Sequence, residues 1–372
     1  MNEAKTSQRL TYIDFMRGLA CILMFQTHCY DSWLDPQARH TRFFAWSQFA
    51  ATLAAPSFLF LAGVSLALAV DKMYSRGASP GLVARTTVGR GAKILLLGLL
   101  FRAQEFLLGL PKAPWTDLMR VDVLNIIGVS IMLIGITCWA ARGRFSRLIA
   151  GAAGAIAIAM ATPLIWTFWR PRRLPWFLES YVDGVHMFGN PPTRLFSIFP
   201  WSAFCFAGLA TGTLLLLDWS RRRGDLTMAL FGGGIALVGM ARFFDTLTFH
   251  LYSMYDYWHT SPNFFLARVG ILWAILATCY LWSRYAARQH VFTQLVQLGQ
   301  NSLLVYWVHI EFVYGRFSIL PKGKVGIPIA SAGLAAIVAA MLILSAKRTW
   351  FRHQSIEMLR RFKEKASFAN AR

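Results

Sequence analysis

Long apolar segments, separated by short polar connections, follow one another along most of the chain. Ten of them are long enough for an α-helix to cross the hydrocarbon core of a bilayer, which takes about 20 residues. They cover approximately residues 13–31, 48–70, 88–110, 121–141, 147–169, 195–217, 226–244, 264–283, 299–317 and 326–346. The pattern predicts an all-α integral membrane protein with about ten transmembrane helices in a single bundle.

The same pattern divides the chain. Residues 1–346 are expected to form one multi-span membrane domain, and residues 347–372 a basic cytoplasmic tail. In that tail Ile356, Leu359 and Phe362 recur at helical spacing, as in an amphipathic helix at a membrane surface. Basic residues that only anchor the last span on its cytoplasmic side also explain the tail, and we favour that explanation.

Composition supports the membrane assignment and narrows the partners. The 372 residues are 56% hydrophobic and 15% charged, whereas soluble domains are about 45–50% apolar and about 25% charged. The net charge of +21 comes from basic residues scattered at the ends of apolar segments, which indicates a lipid bilayer as partner and argues against nucleic acid. The five cysteines form no CxxC pair, so we expect free thiols and no metal site.

Lys and Arg set the expected orientation. With the N-terminus in the cytoplasm, the basic segments 72–93, 142–147 and 221–223 and the tail all lie on the cytoplasmic side, and the other side has fewer basic residues. The first apolar segment carries Asp14 and Arg17 and lacks a small-residue cleavage site, so it should be its own uncleaved targeting signal. We expect both termini in the cytoplasm.

Three ionisable residues share one face of the first predicted span. On an α-helix Arg17 lies about 60° from Asp14 and His28 about 20° from Arg17, and about 21 Å of helix axis separates Asp14 from His28. Ionisable groups inside a bilayer are costly and often mark a functional site. The structural alternative is an ion pair between Asp14 and Arg17 at the membrane surface, with His28 capping the outer end of the helix.

Two further polar clusters belong to the fourth and ninth predicted spans. Asp122 and Asn125 share a face at the start of the fourth, where they could bind substrate or only complement the helix N-terminus. In the ninth, His309 is expected at the same depth as His28, so the two histidines could meet. Asn301 and His309 could instead hold neighbouring helices together by hydrogen bonds.

A glycine-containing basic segment, TVGRGAKILLLG, places Arg90 and Lys93 at the predicted start of the third span. Unpaired backbone N–H groups at a helix start, together with these two cations, could hold phosphates. Ordinary positive-inside anchoring is the alternative, and it is favoured.

Four ordered segments resemble the heparan-α-glucosaminide N-acetyltransferases, including bacterial members of that family. They are YIDFMRGLACILMFQTH, APSFLFLAGVSLALA, RVDVLNIIGVS and GQNSLLVYWVH. The first is also similar to the wider type-3 acyltransferases, in which an Arg early in span one and a His at its end are expected. The resemblance implies transfer of an acyl group, usually acetyl, from cytoplasmic acetyl-CoA to a saccharide amine or hydroxyl across the plasma (bacterial inner) membrane.

The resemblance and the chemistry of acyl transfer together suggest roles for the polar residues. A base must remove a proton from the acceptor, and imidazole is suited to this at neutral pH, while cations must hold the CoA phosphates. His28 is the expected base, and His40 is a second candidate because a catalytic His follows span one in the family's lysosomal member. The expected catalytic residues are His28, His309, Asn301 and His40; the expected CoA-binding residues are Arg17, Asp14, Arg90 and Lys93; the expected substrate-binding residues are Asp122 and Asn125.

Other functions stay open at this point. A proton-coupled transporter or flippase could use the same polar path, although the chain shows no clear internal repeat of the kind common in transporters. In a non-catalytic membrane scaffold, His28 and His309 would have no functional role. For an acyltransferase, both direct transfer and transfer through an acyl-histidine stay open.

Overall fold

The computed structural model of the protein describes residues 10–171, 173–183, 196–217, 223–247, 251–252, 256–286 and 289–369, and for 223–224, 286 and 352–369 only the path of the helix. Within these ranges the chain is α-helical, with two short 3₁₀ helices and no β-strand, which confirms the all-α class. The helices are α1 (Thr11–Trp33), α2 (Arg42–Ala51), α3 (Ala54–Tyr74), α4 (Pro80–Gly109), α5 (Val123–Ala140), α6 (Arg144–Phe168), α7 (Trp176–Val182), α8 (Ile198–Leu214), α9 (Arg223–Thr246), α10 (Pro262–Ala286), α11 (His290–Gln300), α12 (Ser302–Val313) and α13 (Ile327–Ala369).

Six helical segments of the described chain are long and apolar enough to cross a membrane, which identifies an integral membrane protein. They are Arg42–Tyr74, Trp115–Ala140, Arg144–Phe168, Asp225–Thr246, Pro262–Tyr285 and Ile327–Phe351. The helices α8 and α12 are apolar but shorter, at 17 and 12 residues. The helices α1 and α4 have spanning length but carry charged side chains. The count of ten spans is therefore not confirmed and stays a prediction.

Two predicted boundaries differ from the observed helices. The predicted span 48–70 combines the end of α2 with most of α3, because the chain turns between these helices. The predicted third span starts at residue 88, whereas α4 starts at Pro80, where the Ser79 hydroxyl accepts a hydrogen bond from the Leu82 backbone N–H (3.3 Å). Ser at the N-cap and Pro in the first turn both favour a helix start. Charged residues in the first turns of α4 conceal this start from a hydropathy pattern.

The chain divides into two compact units. The terminal unit combines residues 1–51 with 282–372, and the central unit comprises residues 52–281. The terminal unit contains α1, α2, α11, α12 and α13, and the central unit contains α3 to α9 and most of α10. Residues 347–369 of the predicted tail, including Ile356, are part of the continuous helix α13, but from residue 352 onward their side chains lie outside the described residues, so the amphipathic character of the tail stays a prediction.

In the terminal unit, α1 and α12 lie side by side and run in the same direction. Near the start of α1, Gln300 donates from Nε2 to Oδ2 of Asp14 (3.3 Å), and near its end Ser32 donates from Oγ to the carbonyl oxygen of Val313 (2.7 Å). Residues at equal height on the two helices therefore meet. This arrangement decides which side chains of α12 can reach α1.

The long helix α13 runs antiparallel to this pair. Its Ser331 hydroxyl is hydrogen-bonded to the hydroxyl of Tyr30 (2.9 Å) near the end of α1, and its Ser345 hydroxyl accepts from Nδ2 of Asn301 (3.0 Å) before the start of α12. The polar side chains at both ends thus fix three helices against one another, and the apolar residues between them form the core.

Glycines bring the helices of the central unit into close contact. A Cβ on Gly63 of α3 would lie 1.9 Å from the carbonyl oxygen of Cys205 on α8, and one on Gly208 would lie 2.0 Å from that of Phe60. Small residues at such crossings let helix backbones approach and pack tightly within a membrane. The two helices are therefore held at a spacing that no larger side chain at these positions would allow.

An ion cluster within the central unit joins the end of α3 to the start of α6. Asp71 accepts from Nε and Nη2 of Arg144 (2.8 and 2.9 Å) and from Nη2 of Arg147 (2.8 Å). Arg147 also donates to the carbonyl oxygen of Arg142 (2.6 Å) and is 1% exposed. A buried guanidinium needs such partners, so we interpret the cluster as a structural joint.

Candidate active site

Asp14 and Arg17 form an ion pair near the start of α1. Nη1 of Arg17 lies 2.8 Å from Oδ1 of Asp14, and the other carboxylate oxygen accepts from Gln300. The Asp14 side chain is nearly buried, at 5% exposure, whereas that of Arg17 is 19% exposed. Asp14 therefore orients a guanidinium that is still accessible to an anion. The functional and the structural interpretation both include this ion pair, so it does not decide between them.

His28 and His309 meet at the opposite end of α1. Nδ1 of His28 lies 2.8 Å from Nε2 of His309. The ring planes are parallel within 1°, and the ring centroids are 5.1 Å apart, which is about the nitrogen–nitrogen distance plus the centroid-to-nitrogen length of each ring and leaves no room for a vertical offset between the planes. The two imidazoles therefore lie edge to edge in nearly one plane, joined by an in-line hydrogen bond. The parallel course of α1 and α12 makes this contact.

His309 is held firmly from its other side. Its Nδ1 lies 2.7 Å from the carbonyl oxygen of Val305, one turn earlier on α12, and the residue is fully buried. The ring of Phe25 packs against it at a centroid distance of 4.8 Å. His28 is only partly buried, so His28 is the member of the pair that can meet a ligand.

A tyrosine and a carboxylate lie beside His28. The Tyr314 ring contacts the His28 ring edge-on at 5.5 Å, and the Tyr314 hydroxyl donates to Oδ2 of Asp31 (2.6 Å). Asp31 is exposed and lies one helical turn beyond His28. The histidine pair therefore adjoins a polar, accessible end of the terminal unit.

Asn301 occupies the joint between α11 and α12. Its Nδ2 contacts the carbonyl oxygen of Gln297 (2.9 Å) and the hydroxyls of Ser345 (3.0 Å) and Thr349 (3.2 Å). It lies eight residues before His309, or about 12 Å along a helix axis. The structure does not bring Asn301 to the histidine pair, and these contacts favour the helix-joining alternative over a catalytic role.

His40 is the last residue of a 3₁₀ helix, Ala38–His40, that follows α1. Its side chain is exposed. The Asp35 carboxylate accepts from the backbone N–H of Ala38 (2.6 Å) and thereby fixes the start of this turn. His40 thus lies outside the helix that carries His28, on the connection to α2.

Asp122 and Asn125 lie together at the start of α5 in the central unit. Asp122 caps the helix through Oδ1, which accepts from the Val123 N–H (2.7 Å), and its Oδ2 lies 2.6 Å from Nη2 of Arg102. Capping of this kind is the structural alternative considered for Asp122. The salt bridge to Arg102 adds a connection to α4.

Asn125 links three helices of the central unit. Its Nδ2 donates to the hydroxyl of Tyr181 on α7 (2.7 Å), and it is fully buried. A Cβ on Gly98 of α4 would lie 2.8 Å from the Asn125 Oδ1, so that oxygen faces the α4 backbone. Burial raises the pKa of the Tyr181 phenol, and the hydrogen bond from Asn125 partly opposes this. Tyr181 therefore stays a neutral hydroxyl at physiological pH.

Arg90 and Lys93 are both exposed on α4. Because α4 begins at Pro80, these residues lie about three turns inside the helix, where backbone N–H groups are paired within the helix. The prediction that backbone N–H groups near Arg90 and Lys93 are unpaired is therefore wrong. Phosphate binding here would depend on the two side chains alone.

Comparison with known families adds a decisive observation. The family model described as heparan-alpha-glucosaminide N-acetyltransferase, catalytic, matches residues 9–242. The chain belongs to this family. Among curated proteins no sequence matches.

Membership in the heparan-alpha-glucosaminide N-acetyltransferase family indicates a transmembrane acetyltransferase. Acetyltransferases of this family use acetyl-CoA as the donor. The matched region includes His28 and Asp122, whereas Asn301 and His309 follow it in the chain. The structure places His309 in contact with His28, as their shared depth in the sequence suggests.

In the described part of the chain, no three or more His, Cys, Asp or Glu side chains are placed to bind one metal ion. All five cysteines are free and buried.

The structure also shows polar residues that the sequence analysis does not single out. Arg102 lies within the third predicted span, and a charge inside an apolar segment is a signal that could have identified it. Tyr181 and Tyr314 give no comparable signal, because aromatic residues are common throughout the chain, at 15%.

Proposed function

We propose that the protein transfers an acetyl group from cytoplasmic acetyl-CoA to an amine or hydroxyl of a saccharide on the opposite side of the membrane, with His28 as general base. One observation carries this proposal. The helix α1 holds an accessible guanidinium, Arg17, near one end and a partly buried, hydrogen-bonded imidazole, His28, near the other, about 16–17 Å apart along its axis.

The separation suits the donor. CoA carries its phosphates at one end and its thioester at the other, so a phosphate-binding cation and a base must lie well apart. Arg17, oriented by Asp14, would hold a phosphate through charge-assisted hydrogen bonds. Arg90 and Lys93 are proposed as phosphate contacts only through their exposed side chains.

The reaction requires one general base close to the thioester, to take a proton from the saccharide that accepts the acetyl group. The acceptor's nitrogen or oxygen lone pair attacks the acetyl carbonyl carbon, its proton passes to Nε2 of His28, and the C–S bond breaks. The CoA thiolate leaves and is protonated, and His28 returns its proton to solvent. General base catalysis of this kind contributes about 10²–10⁴-fold to a rate.

The proposal also includes candidate residues for contact with the saccharide and for an alternative base. Asp122 and Asn125 stay proposed substrate contacts within the central unit, with the limit that Nδ2 of Asn125 is engaged by Tyr181. His40, exposed on the connection after α1, stays a proposed alternative base. Asn301, expected from the sequence to be catalytic, is given the helix-joining role in this proposal, because its amide nitrogen contacts Gln297, Ser345 and Thr349.

The membrane arrangement follows from the same proposal. We propose ten spans, because α1, α4, α8 and α12 would cross the membrane in addition to the six apolar segments. Both termini would lie in the cytoplasm of a bacterial cell. Lipid-exposed polar side chains are costly, so the charged residues of α1 and α4 would face protein or a water-filled cavity. Arg17 would then lie near the cytoplasmic face and His28 near the outer face.

The test is direct. Purified protein in liposomes is given acetyl-CoA on one side and candidate amino sugars or neutral sugars on the other, while free thiol release and the mass of the product are measured. We expect thiol release that depends on the saccharide and a product heavier by one acetyl group. Saccharide-independent thiol release alone, or movement of an unmodified saccharide across the bilayer, would contradict the proposal.

A further inference from the structure

We infer that His309 is a positioning residue that fixes His28 in one tautomer, with hydrogen on Nδ1, so that Nε2 of His28 is the nitrogen that accepts the proton. The inference deepens the proposed function and rests on it, because it takes His28 as the base. It adds a task for His309 other than contact with the thioester or the acceptor.

The first step concerns Val305 and His309. A backbone carbonyl oxygen can only accept a hydrogen bond, and Nδ1 of His309 lies 2.7 Å from that of Val305. The Nδ1 of His309 must therefore carry the hydrogen. In a neutral imidazole only one nitrogen is protonated, so Nε2 of His309 is then an acceptor.

The second step concerns the two histidines. Nε2 of His309 lies 2.8 Å from Nδ1 of His28, so the hydrogen between them belongs to His28. A second proton on His309 would remove this acceptor and would place a charge on a fully buried side chain, which is costly inside a membrane protein. The coplanar rings agree with this assignment, because the lone pair of an imidazole nitrogen lies in the ring plane.

The third step concerns the base itself. With hydrogen on Nδ1, the lone pair of neutral His28 is on Nε2, on the side of the ring away from His309. Without a fixed acceptor both neutral tautomers would be populated, and in one of them Nε2 carries a hydrogen and cannot act as base. When Nε2 takes the acceptor's proton, the bond from Nδ1 to His309 persists, so no ring rotation is needed.

A purely structural role for His309 makes different predictions. A hydrogen bond that only joins α1 to α12 would contribute to stability and would not affect the rate per folded molecule. A positioning role affects kcat, leaves KM for acetyl-CoA nearly unchanged, and depends on the direction of the hydrogen bond. The direction can be preserved or removed by substitution.

Two variants at this position separate the roles. In His309→Gln the amide nitrogen can donate to Val305 and the amide oxygen can accept from His28, whereas His309→Leu offers no acceptor. We expect His309→Leu to lower kcat by about 10–100-fold, the typical cost of removing a hydrogen-bond partner that fixes the tautomer and orientation of an imidazole, and His309→Gln to recover most of the rate. Ile310→Val is the matched control, because it trims a buried apolar side chain on the same helix and leaves the hydrogen bonds of His309 in place. It should lower the melting temperature with little effect on kcat per folded molecule.

The tautomer itself can be observed without activity. The protein is labelled with ¹⁵N-histidine in liposomes, and the ring signals of His28 are assigned by their loss in His28→Gln. We expect a protonated Nδ1 and an unprotonated Nε2 at neutral or higher pH in the wild type and in His309→Gln, and a mixture in His309→Leu.

The outcomes distinguish this inference from the proposed function. A wild-type His28 with hydrogen on Nε2, or a His309→Leu variant with full kcat, would overturn the positioning role while loss of turnover in His28→Ala would still support His28 as base. The inferred tautomer together with full turnover in His28→Ala would instead overturn the base and, with it, any catalytic task for His309.

Discussion

The carbonyl oxygen of Asp14 lies against Gly299: a Cβ built on Gly299 would be 1.9 Å from that oxygen. The contact is reciprocal along the same crossing, since a Cβ on Gly18 would be 2.1 Å from the carbonyl oxygen of Leu295. The absence of side chains at these two glycines thus lets α11 pack closely against the turn of α1 that carries the Asp14–Arg17 ion pair. The geometry of the proposed phosphate contact depends on this crossing.

Gly299→Ala should separate α11 from α1. We expect a loss of about 1–3 kcal/mol of stability, because backbone atoms must move to admit the methyl group, and weaker acetyl-CoA binding through displacement of Arg17. Thermal unfolding in detergent and equilibrium binding of acetyl-CoA measure the two effects. The control is Gly239→Ala on α9, where no atom lies within 4 Å of an added Cβ. Equal melting temperatures for both variants would contradict the prediction.

Hydropathy predicts where helices occur better than where they begin. The helices α6 (Arg144–Phe168) and α10 (Pro262–Ala286) begin and end close to where the apolar residues begin and end. They therefore agree with the predicted spans 147–169 and 264–283. The start of α4 depends instead on Ser79 and Pro80, which are local backbone signals invisible to an average over side chains. The length of α1 alone does not show that this helix crosses the membrane, because Asp14 and Arg17 can enter the bilayer only where other helices shield them from lipid.

Contacts within one helix can be predicted from spacing, and contacts between helices mostly cannot. The ion pair of Asp14 with Arg17 follows from a separation of three residues. The approach of His28 to His309 joins residues 281 positions apart and requires the parallel course of α1 and α12, which a shared depth suggests but does not determine. The bond from Asn125 to Tyr181 depends on α7, a helix of seven residues with no periodic signal.

Asn125 and Tyr181 should be energetically coupled. Asn125→Leu leaves the partly buried Tyr181 hydroxyl without its donor, and Tyr181→Phe leaves the buried amide without its acceptor, so each change should cost about 1–3 kcal/mol. The double variant should cost clearly less than both together, with a coupling of about 0.5–3 kcal/mol. Unfolding of the four proteins measures this. Additive losses would show that the hydrogen bond contributes little, and a raised KM for the acceptor at full stability would favour substrate contact by Asn125.

The orientation can be tested with reporters. A fusion after Arg372 should report the cytoplasm, and one inserted in the 245–263 connection should report the outside, because basic residues are concentrated on the expected cytoplasmic side. Insertions in the segment 141–143, between α5 and α6, provide an internal check and should report the cytoplasm. An external C-terminus would reverse the sides assigned to Arg17 and His28.

Arg17→Ala should weaken binding of acetyl-CoA by one to two orders of magnitude, the effect of losing a charge-assisted phosphate contact of about 1.5–3 kcal/mol. Equilibrium binding to the purified variant measures this. Asp14→Asn keeps the shape of the ion pair but weakens the orientation of Arg17, so it should give a smaller loss. Unchanged affinity in a folded Arg17→Ala variant would reduce Arg17 to an anchor at the membrane surface.

His28→Ala should abolish most turnover and spare donor binding. If His28 is the base, turnover should fall by about 10²–10⁴-fold, the usual contribution of general base catalysis. Affinity for acetyl-CoA should change little, because the proposed phosphate contact at Arg17 lies near the other end of α1. Initial rates of thiol release at saturating donor and acceptor, normalised to folded protein, measure the first effect, and equilibrium binding measures the second.

The control for this prediction is Thr27→Val on the same turn of α1, which removes only a hydroxyl bonded to the carbonyl oxygen of Leu23. It should keep wild-type turnover, because that bond is local to the helix. A histidine that only capped α1 would behave differently: His28→Ala would lower the melting temperature and leave turnover per folded molecule intact. Full turnover in His28→Ala with loss in His40→Ala or His309→Ala would mean that the base is misassigned. If all three alanine variants retained a confirmed acetyl transfer, the proton would have to leave the acceptor without any of these imidazoles.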